Sequence, residues 1–373
     1  MFRPAIQKTG VLVGLALFNI LLFFWASKST VVQKAQGYEL KIQAAELMEK
    51  AMKVLKENRM GKSGIFIDSE NDPNETALVG SQFSLITTDE GNLDSKLTTL
   101  NPNFAALIVD MLLDAGVESG DKVAVAFTGS MPGANLATLA AIEIMELNPV
   151  IVTSAGASQW GATNPYFTWL DMEKILYDEA VFHHRTIAAS IGGKGDTGKG
   201  LSIRGRELLW EAIYRNDIML IQENNLMSSI DKRIEIFSDS ESISNYAVYI
   251  NIGGGAASIG PSINAKLIPG GISFPRNLID LTGESVLKNF SKSKVPVIHI
   301  LQIKEIAEAY DFPYTPIPMP PIGTGTLFSE LQYNFTITLI TLALAIGAVT
   351  AVGIKSHRQI KRRMTTYEPE SIL

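Results

Sequence analysis

The chain has 373 residues, no cysteine and a formal net charge of −6. The lack of cysteine excludes a disulfide framework, a thiolate nucleophile and a thiolate metal site. Between Lys28 and Asn334 the charge is −11, from 25 Lys/Arg and 36 Asp/Glu, and an acidic surface repels polyanions at long range. Nucleic acid is therefore not expected as a partner, and a polyanion site would need a local cationic patch.

An uncharged apolar run near the start of the chain predicts a membrane helix. Residues 10–27 carry no charge and have Trp25 close to their end, and about 20 apolar residues cross a hydrocarbon core of ~30 Å. A cleaved secretory signal is the alternative, but the apolar core exceeds the usual ~7–15 residues and the cleavage site is poor. We expect a cytoplasmic N-terminus at 1–9 and a retained transmembrane helix at 10–27.

The region 28–311 has the pattern of an extracytoplasmic α/β domain. An amphipathic helix is predicted at 38–58. From Asn101 onward short apolar strands alternate with helices, which is typical of a mostly parallel sheet with helices on both faces. A strand followed by a glycine-rich loop occurs at 123–133 and again at 247–260, which leaves open one large sheet or two related halves. The predicted strands are 123–127, 150–153, 185–190, 218–221, 247–252 and 297–301, and the further predicted helices are 103–115, 136–147 and 208–214.

The loop 128–135 is the first candidate binding site. Its sequence is Thr-Gly-Ser-Met-Pro-Gly-Ala-Asn, and it joins a predicted strand to a predicted helix. A loop at the carboxyl end of a parallel strand offers free backbone N–H groups and a positive dipole end, which suit a carboxylate or a phosphate. The alternative is a tight turn whose hydroxyl only caps the helix. The predicted ligand-binding residues here are Thr128, Gly129, Ser130, Gly133 and Asn135.

Two further loops follow predicted strands and are expected near the first. The loop 154–164 supplies hydroxyls, amides and Trp160, and the loop 253–260 begins with three glycines. Because the carboxyl ends of parallel strands meet at one edge of a sheet, 154–164 is predicted to share a cleft with 128–135. The predicted ligand-binding residues in these two loops are Ser154, Ser158, Gly253, Gly254 and Gly255.

A serine nucleophile is a further possibility, with Ser130 and Ser154 as candidates. The pattern G-x-S-x-G is absent around Ser130, and a base would have to come from His183 or His184. Adjacent histidines on a regular element point apart and no carboxylate cluster accompanies them, so no metal site and no cofactor are predicted. The catalytic residues stay unknown from sequence alone.

The segment 193–200 partly matches the phosphate-binding P-loop pattern G-x-x-x-x-G-K-[ST]. It fails at the last position, where Gly200 replaces the hydroxyl residue that binds Mg²⁺, and its predicted place outside the cell is away from nucleotides. A flexible loop with clustered cations remains, which could hold carboxylates of an acidic polymer or be simply solvated. The predicted ligand-binding cations are Lys194, Lys199, Arg204 and Arg206.

The C-terminal part of the chain fixes the predicted topology. Residues 312–334 begin with five prolines in ten residues and are predicted to form a stiff extended connector. A second transmembrane helix is predicted at 335–354, and the tail 355–373 starts with five cations in nine residues. Positive flanks stay on the cytoplasmic side. The chain is therefore predicted to be a two-pass protein of the cell membrane with both termini inside and the main domain outside.

Three segments between the two apolar ends resemble the poly-gamma-glutamate system protein family. They are DKVAVAFTGSMPGANLATLAAIE at 121–143, SAGASQWGATNP at 154–165 and NIGGGAASIG at 251–260, and the resemblance covers most of the chain. It implies an association with the machinery that makes and exports poly-gamma-glutamate, a capsule-type polymer. It supplies no catalytic residues.

The leading hypothesis is a membrane-anchored accessory component of poly-gamma-glutamate synthesis or export. Its partners would be membrane subunits of the synthase and, through the outer domain, the acidic polymer. The alternative is an extracytoplasmic hydrolase or transferase that acts on an amide-linked polymer through Ser130 or Ser154. A scaffold without any ligand is a third hypothesis.

Overall fold

A computed structural model describes residues 4–60, 67–278 and 280–366. Arg3 and the part of the predicted tail from 367 onward lie outside these residues. The chain divides into two compact units, a terminal unit made of the segments up to Lys34 and from Ser329, and a body, Ala35–Phe328. The elements in chain order are α1 Thr9–Lys28, β1 Thr30–Lys34, α2 Tyr38–Met60, β2 Thr87–Asp89, α3 Leu93–Thr99, α4 Asn103–Asp114, β3 Lys122–Thr128, α5 Pro132–Ile144, β4 Asn148–Ser154, β5 Ala157–Ser158, α6 Trp169–Asp178, β6 Ala188–Ser190, α7 Ile203–Arg215, β7 Met219–Leu220, α8 Leu226–Ser240, β8 Val248–Ile252, α9 Ala256–Ile259, α10 Asn264–Leu267, β9 Gly271–Ser273, α11 Val286–Lys292, β10 Val297–Ile300, α12 Ile303–Ala309, β11 Ser329–Tyr333 and α13 Phe335–Thr366.

The terminal unit is an antiparallel pair of apolar helices. Both α1 and α13 are long and apolar enough to cross a membrane. At one end of the pair β1 and β11 form an antiparallel ladder that begins with Thr30 opposite Tyr333. At the other end the N–H of Ile6 donates to Ser356 Oγ at 2.7 Å, and the N–H of Ala5 donates to Gln359 Oε1 at 3.0 Å. The segment before α1 and the C-terminal part of α13 around Ser356 and Gln359 therefore lie at the same end of the helix pair.

The body is built on one seven-stranded sheet with the order β7-β6-β4-β3-β8-β10-β9. All neighbours are parallel except β9, which is antiparallel to β10. From β3 the chain moves outward through β4, β6 and β7, returns to the middle at β8, and then builds the other half. The strand order therefore reverses between β3 and β8, and in such sheets ligands bind at the carboxyl ends of the strands on either side of that reversal.

Residues of β3 alternate between two hydrophobic clusters, one on each face of the sheet. Val123, Val125 and Phe127 belong to the cluster that packs under α2, α4, α5, α6 and α7. Ala124 and Ala126 belong to the cluster that packs under α8, α9 and α11. A side chain alternates sides with a period of two in a strand, so burial on both faces explains why β3 reads as a continuous apolar run. The predicted α/β class with a mostly parallel sheet and helices on both faces is confirmed.

The sequence left open whether the body has one large sheet or two related halves, and the structure shows one sheet. The strand and glycine-loop pattern occurs twice because β3 and β8 are adjacent strands on the two sides of the reversal, within one compact body. The predicted strands correspond to β3, β4, β6, β7, β8 and β10. The helices α3, α6, α8, α9, α10, α11 and α12 were not predicted.

The proline-rich segment was predicted to be a stiff extended connector, but much of it packs against the body. Phe312 packs edge-on against Phe104 with ring centroids 5.5 Å apart. Asn103 Nδ2 donates to the carbonyl of Pro321 at 3.1 Å, and the N–H of Thr315 donates to Thr98 Oγ1 at 3.0 Å. The segment up to Phe328 is thus part of the body, because its free carbonyls and aromatic ring find partners on α3 and α4.

Candidate functional site

A cleft of about 980 Å³ opens at the carboxyl edge of the sheet, next to the reversal between β3 and β8. It is bordered by the ends of β3, β4 and β8, by the loop that follows β6, and by residues near the start of α3 and α12. The predicted site residues that border it are Thr128, Ser130, Ser154, Ser158, Lys194, Lys199, Gly253, Gly254 and Gly255. The loops 128–135, 154–164 and 253–260 therefore converge on one cleft. A shared cleft was predicted for the first two, because both follow parallel strands.

Three hydroxyl residues end adjacent strands at the same level. Thr128 is the register partner of Ser154, and Ser154 is the register partner of Ser190. The last position of a parallel strand places its side chain at the edge where the loops begin. Two of them, Thr128 and Ser154, border the cleft, so these strand ends present hydroxyl groups to it.

The glycines after β8 allow that loop to lie against β3. Gly253 has φ +87°, and a Cβ there would lie 2.3 Å from Thr128 Oγ1. A Cβ on Gly255 would lie 3.3 Å from Thr128 Cγ2 and 3.5 Å from Ser154 Oγ. Only a residue without a side chain fits at position 253, which keeps the backbone of this loop at the wall of the cleft.

Three residues of the first loop have packing roles instead of the predicted binding role. A Cβ on Gly133 would lie 2.5 Å from the carbonyl oxygen of Thr99, and one on Gly129 would lie 2.7 Å from that of Ala155. Asn135 is fully buried, and its Nδ2 donates to the carbonyl of Thr128 at 2.9 Å. None of the three borders the cleft. The glycines permit close backbone approach, and Asn135 closes the turn.

The cations predicted from the 193–206 region divide into two groups. Lys194 and Lys199 are exposed and border the cleft. Arg204 does not, since its guanidinium lies along α7 and binds Glu207 at 3.2 Å and Glu211 at 2.8 Å. Arg206 also lies outside, with its stem packed over Gly198 and Nη1 donating to the carbonyl of Leu201 at 3.5 Å. The structure therefore brings the two predicted lysines to the cleft but not the two predicted arginines.

The cleft carries the opposite charge to the region around it. Among its described lining residues are five lysines and two carboxylates, whereas acidic residues are in excess between 28 and 334. The five lysines come from four separate parts of the chain: one from α3, two from the loop before α7, one from α10 and one from α12. The charged lining residues are Lys96, Lys194, Lys199, Lys266 and Lys304, with Asp89 and Glu90.

A buried ionic network lies under the lysine-bearing loop. The Asp196 carboxylate and the Arg233 guanidinium are 3.0 Å apart, with exposures of 0% and 3%. Ser154 and Ser190 donate to Asp196 Oδ1 at 3.2 and 2.7 Å, and Ser229 donates to Oδ2. Arg233 Nη2 also donates to both Ser154 and Ser190. The 193–200 loop, predicted to be flexible, is anchored by its central aspartate.

A second buried cation, Lys96, borders the cleft, and no carboxylate of the described residues forms an ion pair with it. Lys96 Nζ lies 3.0 Å from Ser158 Oγ, and both side chains are buried. Burial lowers the pKa of Lys96 to about 8, because the charged form loses its hydration. The N–H of Ser158 donates to Ser130 Oγ at 2.9 Å. The three polar groups form one chain along the wall of the cleft.

The histidines do not supply a base to the candidate serines. His183 pairs with Glu143 near the end of α5, about 18 Å along that helix from the cleft. His299 is fully buried, its Nδ1 contacts Asn251 Nδ2 at 2.7 Å, and burial lowers its pKa to about 4. No histidine is among the described residues that line the cleft. Ser154 is already engaged with Asp196 and Arg233.

Sequence reasoning missed Lys96, Asp196 and Arg233. Lys96 lies on a short helix between two loops, in a stretch with no apolar period to predict that helix. Asp196 was visible only as one residue of a glycine-rich loop. Arg233 is one of several charges on α8, and nothing in the local sequence distinguishes it from the exposed ones.

No family model, no curated protein and no solved structure matches the chain. In the described residues there is also no group of three or more His, Asp and Glu side chains that could hold a metal ion. The chemistry of the site therefore follows from the residues of the cleft alone.

Proposed function

We propose that the chain is a two-pass membrane protein whose body binds a stretch of an anionic, amide-linked polymer of the poly-gamma-glutamate type. It would serve as an accessory component of the synthesis or export of that polymer. The observation that carries the proposal is the lysine-lined cleft at the reversal of the sheet. The resemblance of three segments to the poly-gamma-glutamate system family indicates the pathway.

The charge distribution favours a weakly held carboxylate polymer over a tightly wrapped polyanion. Lys194, Lys199 and Lys266 are exposed at the cleft, and no carboxylate in the described residues forms an ion pair with any of them. Each exposed ion pair contributes only about 0.2–1 kcal/mol, and the acidic remainder of the body repels polymer that extends beyond the cleft. Binding that is local and weak suits a protein that passes a polymer on.

The proposed orientation places both termini in the cytoplasm and the body outside. The cations that follow the second span, from Lys355 to Arg363, support this orientation because positive flanks remain inside. The antiparallel helix pair supports a common side for the two ends of the chain. Growing polymer that leaves a membrane synthase would meet the body on the outer side.

Membrane subunits of the synthase are the proposed protein partners. Most side chains of α1 and α13 are exposed in the single chain, and the buried or half-buried ones, such as Leu22 and Thr341, are the minority. These two helices can therefore contact lipid and neighbouring membrane helices at the same time. The interaction would hold the cleft close to the exit of the polymer.

Binding of poly-gamma-glutamate to the full-length chain in nanodiscs tests the proposal. At low salt we expect measurable binding of defined gamma-glutamyl oligomers, and we expect weakening of about 10-fold in the triple variant Lys194→Gln, Lys199→Gln, Lys266→Gln. The matched control has the same loss of three charges on α2, outside the cleft. Its substitutions are Lys50→Gln, Lys53→Gln and Lys56→Gln.

Two results would contradict the proposal. The first is no binding by the unaltered chain even at low ionic strength, where screening is least. The second is equal weakening in the two triple variants, since only the net charge would then matter. An alpha-linked glutamate oligomer of equal length serves as a competitor. It carries the same carboxylates on a different backbone, so its affinity shows whether the site recognises the gamma-linked backbone or only the charge.

The alternative enzyme hypothesis through Ser130 or Ser154 has less support. Ser130 Oγ already accepts the N–H of Ser158. Ser154 Oγ donates to Asp196 and accepts from Arg233, so its hydroxyl is held by a charged pair. In the described residues Ser130 Oγ has no hydrogen-bonded base, and the Asp196 carboxylate that accepts from Ser154 is itself paired with Arg233 at 3.0 Å. Ser130→Ala or Ser154→Ala would have to abolish a polymer-cleaving activity without loss of polymer binding for that hypothesis to stand.

A further inference from the structure

Lys96 is unusual among the lysines of the cleft because it is buried. Its side chain is 3% exposed, and its Nζ is 3.0 Å from Ser158 Oγ. No Asp or Glu forms an ion pair with it in the described parts of the chain. A charged ammonium without a counterion is costly to bury, so the neutral amine, which can accept a proton, is favoured relative to an exposed lysine.

Ser158 is held so that its hydroxyl faces this amine. The residue ends β5, which pairs with β2, and its backbone N–H donates to Ser130 Oγ at 2.9 Å. The side chain is 8% exposed and borders the cleft. The hydroxyl thus lies between a buried amine and the space that a ligand would fill, at the hydrogen-bond distance expected of a nucleophile and its base.

We propose that Ser158 and Lys96 form a nucleophile and general-base pair that cleaves or transfers an amide bond of the anionic chain bound in the cleft. This inference rests on the proposed function for its substrate. It moves the candidate nucleophile from Ser130 and Ser154 to a serine that has a hydrogen-bonded base. The chemical class is acyl transfer from an amide flanked by carboxylates.

The reaction balances with water as the second reactant. Ser158 Oγ attacks the amide carbonyl carbon while its proton passes to the neutral Nζ of Lys96. The tetrahedral intermediate collapses, the C–N bond breaks, and the leaving amine takes that proton from Lys96, which leaves an ester on Ser158. Water then attacks the ester carbonyl carbon while Lys96 accepts its proton. The bond between that carbon and Ser158 Oγ breaks, Lys96 returns the proton to Ser158 Oγ, and the product is a carboxylic acid. An amine in place of water gives transfer.

The exposed lysines and the buried one have separate tasks in this scheme. Lys194 and Lys199 attract carboxylates from solvent. Lys96 acts only when it is neutral, so the rate should rise with pH to a plateau above about 8, the pKa to which burial lowers this amine. A lysine that only anchored a carboxylate would show the opposite trend, because binding would weaken as its charge is lost.

The test uses the full-length chain in nanodiscs with gamma-glutamyl oligomers, and mass spectrometry measures shortened products and an acyl adduct on Ser158. We expect Ser158→Ala to lower the cleavage rate by roughly 100-fold or more while oligomer binding is retained. Lys96→Arg keeps the positive charge, but a guanidinium cannot serve as a base. This variant should therefore bind the oligomer and not cleave it. Ser244→Ala, an exposed serine of the body, is the control for substitution itself.

A second variant keeps the inference testable if oligomer cleavage is slow. Because the chain has no cysteine, Ser158→Cys introduces a single thiol whose alkylation by iodoacetamide reports the neighbouring amine. We expect protonated Lys96 to speed alkylation at pH 7 by stabilising the thiolate, and the added change Lys96→Met to slow it at least several-fold. Equal alkylation rates in the two backgrounds would show that the amine does not act on this position.

The outcomes separate the two proposals. Oligomer binding without cleavage or adduct in the unaltered chain would overturn the Ser158–Lys96 inference and leave the proposed function intact. Cleavage that persists in Ser158→Ala, or an adduct on another serine, would also overturn it. Absence of oligomer binding would overturn the proposed function itself.

Discussion

Arg233 Nη2 lies 3.0 Å from Asp196 Oδ2, and neither side chain is more than 3% exposed. The pair joins α8 to the loop that carries Lys194 and Lys199. A loop with many glycines has a high conformational entropy when it is free. The ion pair and its serines restrict this loop and so set the position of two cleft lysines.

Removing one partner of this pair should destabilise the body strongly. Asp196→Ala leaves the Arg233 guanidinium buried without its counterion. Arg233→Met leaves the Asp196 carboxylate buried without a cation. Each change should cost about 3–5 kcal/mol in the free energy of unfolding. Urea unfolding of the detergent-solubilised chain, followed by the fluorescence of the fully buried Trp169, measures it.

The control for that measurement is an ion pair on the surface. Arg204→Gln removes contacts to Glu207 and Glu211 on the exposed side of α7, and no measurable change is expected. The double variant Asp196→Ala, Arg233→Met should cost less than the two single changes together, since no charge is left unpaired. Additive costs would argue against a direct interaction between the two side chains.

Gly133 should tolerate no side chain. A Cβ there would lie 2.5 Å from the Thr99 carbonyl oxygen and 2.9 Å from the Leu100 nitrogen, and both are backbone atoms that cannot rotate away. Gly133→Ala should therefore push α5 away from α3, at a cost of about 1–3 kcal/mol, measured by the same urea unfolding.

The matched glycine control for this experiment is at the cleft. A Cβ on Gly254 would lie 3.8 Å from Leu301 Cδ2, an ordinary contact, and its φ is not positive. Gly254→Ala should leave the free energy of unfolding nearly unchanged. If the two alanine variants unfold alike, α5 and α3 do not pack as closely as their backbones indicate.

Glu173 should make the stability of the body depend on pH. Its side chain is buried on α6, its Oε2 accepts the N–H of Thr186 at 2.9 Å, and its Oε1 has no partner among the described residues. Burial raises the pKa of Glu173 to about 7, from 4.5. The folded state therefore holds a proton that the unfolded state has lost, so this group's contribution to stability falls as pH rises from about 4.5 to 7.

The comparison with Glu173→Gln isolates this effect. His299 acts in the opposite direction over part of the same range, because burial lowers its pKa to about 4, from 6.5, and stability is lost as pH falls toward 4. Subtracting the free energy of unfolding of the unaltered chain from that of Glu173→Gln removes the contribution of His299, because both chains contain it. The difference should grow in favour of the variant up to pH 7, to a value on the order of 3 kcal/mol, and then stay constant. Glu49→Gln, on the exposed face of α2, should show no such growth.

The sequence predicted most of the sheet because the strands of the body are buried on both faces. A run such as 123–127 is apolar at every position, and glycines or aspartates mark its ends, so its type and place are visible locally. The helix α8 escaped prediction because only part of one face is apolar, as the burial of Ile230, Ile236 and Phe237 among charged neighbours shows. The order of the strands depends on contacts across the sheet that no local pattern encodes.

The site could be predicted only where it follows directly from strand ends. Thr128 and Ser154 were found because the last residue of a parallel strand lies at the ligand edge by geometry. Lys96 was not found, since its burial depends on where α3 packs in the folded body. Gly133 and Asn135 were assigned to binding because a glycine or an amide in a loop looks the same whether it contacts a ligand or the backbone.

The proposed orientation in the membrane can be tested with single cysteines, because the chain has none of its own. Ser244→Cys lies on the exposed surface of the body, Thr365→Cys at the end of α13, and Gln7→Cys before α1. In intact cells a membrane-impermeant maleimide should label only the body position, since in the proposed orientation the cationic flank of α13 stays in the cytoplasm together with the segment before α1. Permeabilised cells provide the positive control for the other two. Labelling of Thr365→Cys in intact cells would reverse the orientation, and a mature chain without the Gln7→Cys position would mean that the first helix is removed.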